Sequence, residues 1–121
     1  MYYAAIDEEI KAMKSSSVTS RSTDELDAKI ESDSDDLGSR YDLGLVCYKK
    51  GDFIKATKAL EIFGQTQTYY FYEERAQLVL IMAYIKSKEN NEANSLLKKM
   101  IKNKHHQYYD EAVKLQKGLT Q

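Results

Sequence analysis

The chain has 121 residues, no proline, five glycines, one cysteine and a net charge of −1. That length suits one domain with a real core and needs no covalent or metal staple. The balanced charge is not that of a general nucleic-acid binder, and the lone Cys47 excludes an internal disulfide.

Apolar residues recur three and four apart along most of the chain, and few stretches alternate with a period of two, so an all-α fold is expected. Residues 2–14 read as a helix with Tyr3, Ile6, Ile10 and Met13 on one stripe. Asp7, Glu8 and Glu9 sit early, and Lys11 and Lys14 late, which suits the helix dipole. Met1 to Glu9 lack the basic start and long apolar run of a secretory leader. The serine-rich stretch 15–22 reads as a mobile loop. Ser22-x-x-Glu25 is a capping-box pattern that opens a short helix over 23–31, carrying Leu26 and Ile30. The acidic turn Ser32-Asp33-Ser34-Asp35-Asp36 fits N-capping of the next helix. It lacks the mid-loop Gly and closing Glu of a calcium loop.

Two helical pairs follow. Residues 37–50 and 53–64 hinge at Gly51-Asp52, and residues 69–87 and 90–103 hinge at Lys88-Glu89, with a polar connection over 65–68. Lys104-His105-His106 forms a loop, and residues 107–118 form a last helix through Tyr108, Ala112 and Leu115 that Gly118 is expected to end. The longest apolar run, Leu78 to Ile85, is too short to cross a membrane. No direct membrane insertion is expected, and the compartment stays open between a cytoplasmic protein, which this reading favours, and a soluble periplasmic domain.

The two pairs are copies of one pattern. The first supplies Leu43-Gly44, Gly51-Asp52-Phe53 and Ala56; at an offset of 37 residues the second keeps Leu80, Tyr84 and Ala93, in the places of Leu43, Cys47 and Ala56. These residues resemble the tetratricopeptide repeat, in which two antiparallel helices pair within about 34 residues. Cys47 stands where the repeat's aromatic usually sits, with Tyr48 beside it; the second copy carries Ile81 and Lys88 where the pattern has Gly, and no closing Pro. The resemblance spans about residues 37–106. It implies a right-handed helical-hairpin array of two hairpins (37–68 and 69–106), flanked by N-terminal helices (1–36) and a C-terminal capping helix (107–121), all in one domain. Gly44 and Ala56 are then small because the paired helices cross closely there.

The resemblance also implies a protein–protein interaction scaffold. The first helix of each hairpin would line a groove for a peptide or helix of a partner, through Tyr41, Leu45, Tyr48 and Lys49 and then Arg75, Leu78, Met82, Ile85 and Lys86. Such a groove is apolar with a basic rim, and its residues do not match the Lys/Asn clamp that holds a terminal carboxylate. Leu78 to Ile85 is apolar all round, so that helix must be covered on several sides, by its own domain or by a partner. The N-terminal helix is one candidate occupant, within one chain or from a neighbouring copy. A self-associating assembly module and an accessory domain of a larger membrane-anchored protein are the alternatives. Tyr69, Tyr70 and Tyr72 form an aromatic cluster suited to a contact surface.

No enzyme is expected. Cys47 lies in an apolar stripe with no positioned base, the adjacent pairs Glu73-Glu74 and Asp110-Glu111 diverge on a helix, and there is no phosphate loop or nucleophile motif. Lys98, Lys99, Lys102 and Lys104 with His105 and His106 read as a solvated basic patch. No metal and no cofactor is implied.

Overall fold

The computed structural model describes residues 2–15, 21–65 and 73–119. Among them are seven α-helices and no strand: α1 (Tyr2–Lys11), α2 (Thr23–Ser32), α3 (Leu37–Lys50), α4 (Phe53–Leu60), α5 (Glu73–Lys86), α6 (Asn90–Ile101) and α7 (Tyr109–Leu119). The all-α expectation holds. Tyr69, Tyr70 and Tyr72, and the centre of the serine-rich stretch, lie outside the described residues.

Local chemistry sets the boundaries. Ser22 caps α2 by accepting from the Glu25 N–H at 3.2 Å. Asp36 caps α3 through the Ser39 N–H at 2.9 Å, and Asp52 caps α4 through the Lys55 N–H at 3.2 Å. The acidic turn therefore works as a cap, with Asp33 also accepting from the Asp35 N–H. After Leu60 the chain tightens into a 3₁₀ turn, Glu61–Gly64, so the expected helix over 53–64 changes its winding in the last turn. Helix α1 ends at Lys11 rather than at residue 14, finishing through the bonds from Ala12 N–H to Glu8 C=O and from Met13 N–H to Ile10 C=O.

The turns inside the two pairs are built alike. Gly51 N–H donates to Tyr48 C=O and Asp52 N–H to Cys47 C=O; 37 residues on, Lys88 N–H donates to Ile85 C=O and Glu89 N–H to Tyr84 C=O. In both turns the chain reverses through a left-handed residue, Gly51 at φ +86° and Lys88 at φ +65°. Glycine adopts that conformation freely, whereas lysine is strained in it.

Consecutive helices pack side by side from α2 to α7, and α3 also packs on α5. Close approach of α3 and α4 requires Gly44, since a Cβ there would lie 2.2 Å from Leu60. Leu78, Val79, Leu80, Ile81, Met82 and Ala83 of α5 are all buried, which makes α5 the centre of the core. Helix α1 packs across α5 and α7, with Ile6 and Ile10 fully buried.

Two expectations near the C-terminus are corrected. Gly118 does not end the last helix, which runs to Leu119. Its missing side chain makes room for α1 instead, because a Cβ would come within 2.9 Å of the Tyr3 hydroxyl. The helix also starts later than expected, at Tyr109, because the Tyr108 N–H is taken by the His106 ring at 3.0 Å.

The repeated turn makes a prediction. Lys88→Gly relieves the strained left-handed residue and should raise the unfolding free energy by about 0.5–1 kcal/mol. Gly51→Ala, where nothing crowds an added Cβ within 4 Å, imposes the same strain and should lower it by a similar amount. Urea denaturation with an unchanged slope is the check.

Candidate functional site

The face shared by α3 and α5 carries the residues that the resemblance assigns to a groove. Tyr41, Leu45, Tyr48, Leu78 and Met82 are buried, and Ile85 and Arg75 are half-buried. Ile6, Ile10 and Met13 of the N-terminal segment belong to the same apolar cluster. The face is therefore covered by the chain's own first helix rather than open. The physical cause is mutual: α1 has one apolar stripe, which it buries against α5 and α7, while α5 is apolar on every side between Leu78 and Ala83.

Polar contacts fix α1 at both ends of the face. Near its middle, the Asp7 carboxylate accepts from the Tyr48 hydroxyl at 2.5 Å and from Lys86 Nζ at 2.9 Å. Lys11 Nζ lies 3.0 Å from its other oxygen. Donors from α1, α3 and α5 thus converge on one carboxylate. Partial burial opposes the charge of Asp7, but the hydrogen bonds from Tyr48, Lys86 and Lys11 outweigh it and hold the pKa down to about 2. Lys86 also lies over the rings of Tyr48 and Phe53, at 5.5 Å and 5.2 Å from their centroids. Burial, and then Asp7, push the Tyr48 hydroxyl well above the usual phenol range, so it remains a donor.

Past the end of α1, Lys49 Nζ donates to the Met13 carbonyl at 2.7 Å and the Tyr41 hydroxyl donates to the Lys14 carbonyl at 3.2 Å. These carbonyls lie just beyond the last turn of α1, and the Lys49 charge complements the negative end of the dipole. Arg75 hydrogen-bonds Tyr41 from α5. The other flank of α1 is less favourable: burial, and then the like charge of Glu111 on α7, raise the pKa of Glu9.

Five of the nine expected groove residues are thus buried together under α1, and Lys49, Lys86, Tyr41 and Tyr48 grip it through polar atoms. Asp7 was legible in sequence only as a dipole complement. A signal existed: it follows Ile6 on the edge of the apolar stripe, opposite the basic rim formed by Lys49 and Lys86, which share one position in the two copies.

The remaining singled-out residues lie elsewhere. Cys47 is buried, and burial pushes its thiol up, away from the reactive thiolate. His106 does not join a solvated basic patch. Its ring is buried, with Nδ1 accepting from the Tyr108 N–H and Nε2 donating to Gln77 Oε1 at 2.7 Å, and Gln77 in turn donates to the Phe63 carbonyl. A cavity of about 260 Å³, lined by Glu61, Tyr84, Glu92 and Lys99 among others, shares no residue with the α3/α5 face. Among the described residues no helix is long and apolar enough to cross a membrane, and no His, Cys, Asp and Glu group could hold a metal ion.

Comparison with protein-family models, with curated proteins and with solved structures finds no significant match for the chain.

Two measurements follow from these contacts. Asp7→Asn removes the charge on which three donors converge, and should cost about 1–2 kcal/mol at neutral pH. Because the folded pKa of about 2 lies below the ordinary 3.8, the contribution is present above 3.8 and fades as pH falls toward 2; the stability gap between the two chains should close over that window. Burial holds the His106 pKa below its ordinary 6.5, so the unfolded chain takes up a proton first on acidification. Stability should fall as pH drops through the ordinary 6.5, and His106→Gln should flatten that slope in thermal or urea unfolding.

Proposed function

We propose that this chain is a tetratricopeptide-like module of two hairpins that acts as a protein–protein interaction scaffold, its α3/α5 face binding an amphipathic helix. Two features support the repeat reading: the turn hydrogen bonds recur at an offset of 37 residues, with a left-handed residue at the same place in each, and the residue whose Cβ is excluded at the helix crossing is Gly44 of the Leu-Gly pair. The observation that carries the functional reading is the occupant itself. A helix with one apolar stripe sits on the face and is held by side chains from both hairpins. Main-chain and charged contacts position it, while apolar burial supplies most of the driving force, in the manner of helix-in-groove recognition.

Occupation within one chain fits the local geometry better than exchange between copies. The Lys14 carbonyl meets Tyr41, and seven residues on, Arg21 bonds Ser39 Oγ at 3.1 Å and Asp42 at 2.9 Å. Lys14 and Arg21 therefore meet the same turn of α3, at residues 39–42.

The test separates helix from face. A chain of residues 21–121, helical by circular dichroism, should bind a synthetic peptide of residues 1–15 with a micromolar dissociation constant by calorimetry. A folded 21–121 chain that takes up no peptide would reject a helix-binding face.

A further inference from the structure

The contacts on α1 specify more than an apolar helix. Ile6, Ile10 and Met13 fill the face at i, i+4 and i+7, and the residue at i+1, Asp7, meets the Tyr48 hydroxyl and the Lys86 ammonium. Both donors would be left without that acceptor if a neutral apolar residue stood there, which penalises the wrong occupant. Beyond the end of α1, Lys49 and Tyr41 take the carbonyls of Met13 and Lys14, so the face holds the segment that follows a helix ending at Lys11 and enforces one direction. At i+3 the fit is poorer: α1 packs on α7, and burial, and then the charge of Glu111 on α7, raise the pKa of Glu9, which disfavours a carboxylate there. The N-terminal segment thus satisfies the face at Ile6, Asp7, Ile10, Met13 and the carbonyls of Met13 and Lys14, and fits it poorly at Glu9.

We infer that α1 holds the place of a partner helix of defined chemistry: apolar at i and i+4, carboxylate at i+1, neutral or basic at i+3, ending near i+5, with an apolar residue at i+7 in the segment that follows. This rests on the helix-binding reading of the α3/α5 face. A partner of that kind reproduces every favourable contact of α1 and replaces the repulsion at Glu111 with neutrality or attraction. It therefore competes with α1 for the same seat, and the intramolecular helix sets the affinity that the partner must exceed.

Peptide binding to the full chain tests the inference. The probe is a fluorescein-labelled peptide of residues 1–15, read by anisotropy against the natural chain and against the full chain carrying Ile6→Ala and Ile10→Ala, which loosens α1. The loosened chain should bind at least about tenfold more tightly than the natural chain. An Asp7→Asn peptide should bind about tenfold more weakly than the natural peptide, and a Glu9→Lys peptide about threefold more tightly. Lys86→Glu in the loosened chain should abolish the preference for the Asp7 peptide over the Asp7→Asn peptide. Equal binding of the three peptides would overturn the partner chemistry while leaving a helix site in place; no binding of any peptide by a loosened chain that is still helical would overturn both. Hydrogen exchange on the natural full chain provides a readout that needs no loosened variant. Amides of α1 should exchange at least about tenfold faster than those of α5, and excess Glu9→Lys peptide should speed them further. One common rate for α1 and α5, unmoved by that peptide, would overturn the inference.

Discussion

Helix α5 has no polar side to give to solvent between Leu78 and Ala83, and every other element is arranged around that constraint. Helices α4 and α6 flank it and α3 packs beside it, each already committed to its own hairpin. The remaining side must be closed by something carrying a complementary stripe, and α1 supplies one with Ile6 and Ile10. At about 25 cal/mol for each Å² of apolar surface removed from water, two such side chains outweigh any single polar contact on the face. The polar contacts decide position and direction. The carboxylate of Asp7 and the two carbonyls beyond Lys11 mark where along the face the stripe must stop sliding.

Much of this was readable from residue order, for local reasons. The boundaries of α3 and the start of α4 follow from Asp36, Gly51 and Asp52, whose capping and turn chemistry acts within three or four residues. The second turn was readable only by laying one copy over the other. Lys88 carries no turn signature of its own, yet it occupies the left-handed position that Gly51 occupies 37 residues earlier. What the sequence does not announce is contact at long range. Gly118 looks like a helix stop, a role glycine often has near a helix end, but its use is to admit Tyr3 from the other end of the chain. His106 follows a run of lysines and looks solvated, but its ring faces Gln77 on α5. The stripe on α1 declares a buried face without naming what buries it, and Asp7 gains its meaning only from Tyr48 and Lys86 on two other helices.

The same face shows how favourable and unfavourable terms are divided along one short helix. Charge-assisted bonds gather on the Asp7 side, where Lys86 and Lys11 keep contact with water, so the net value of those ion pairs stays modest. On the Glu9 side, burial and then Glu111 raise the pKa of Glu9, and burial and then Glu9 push the buried Tyr108 phenol up to about 12. A helix gripped on one edge and repelled on the other is held less firmly than its apolar burial alone implies. That imbalance concerns α1 alone; the helices α3, α4 and α5 are joined by the α3–α5 and α4–α5 contacts regardless.

The return of the chain to one turn of α3, with Lys14 against Tyr41 and Arg21 against Ser39 and Asp42, carries a quantitative consequence. A segment tied this closely to its own seat is present there at an effective concentration on the order of millimolar. A free rival making identical contacts at about one micromolar would be outcompeted roughly a thousandfold. The tether thus acts as a threshold: only a rival that is abundant, or markedly better matched, gains entry.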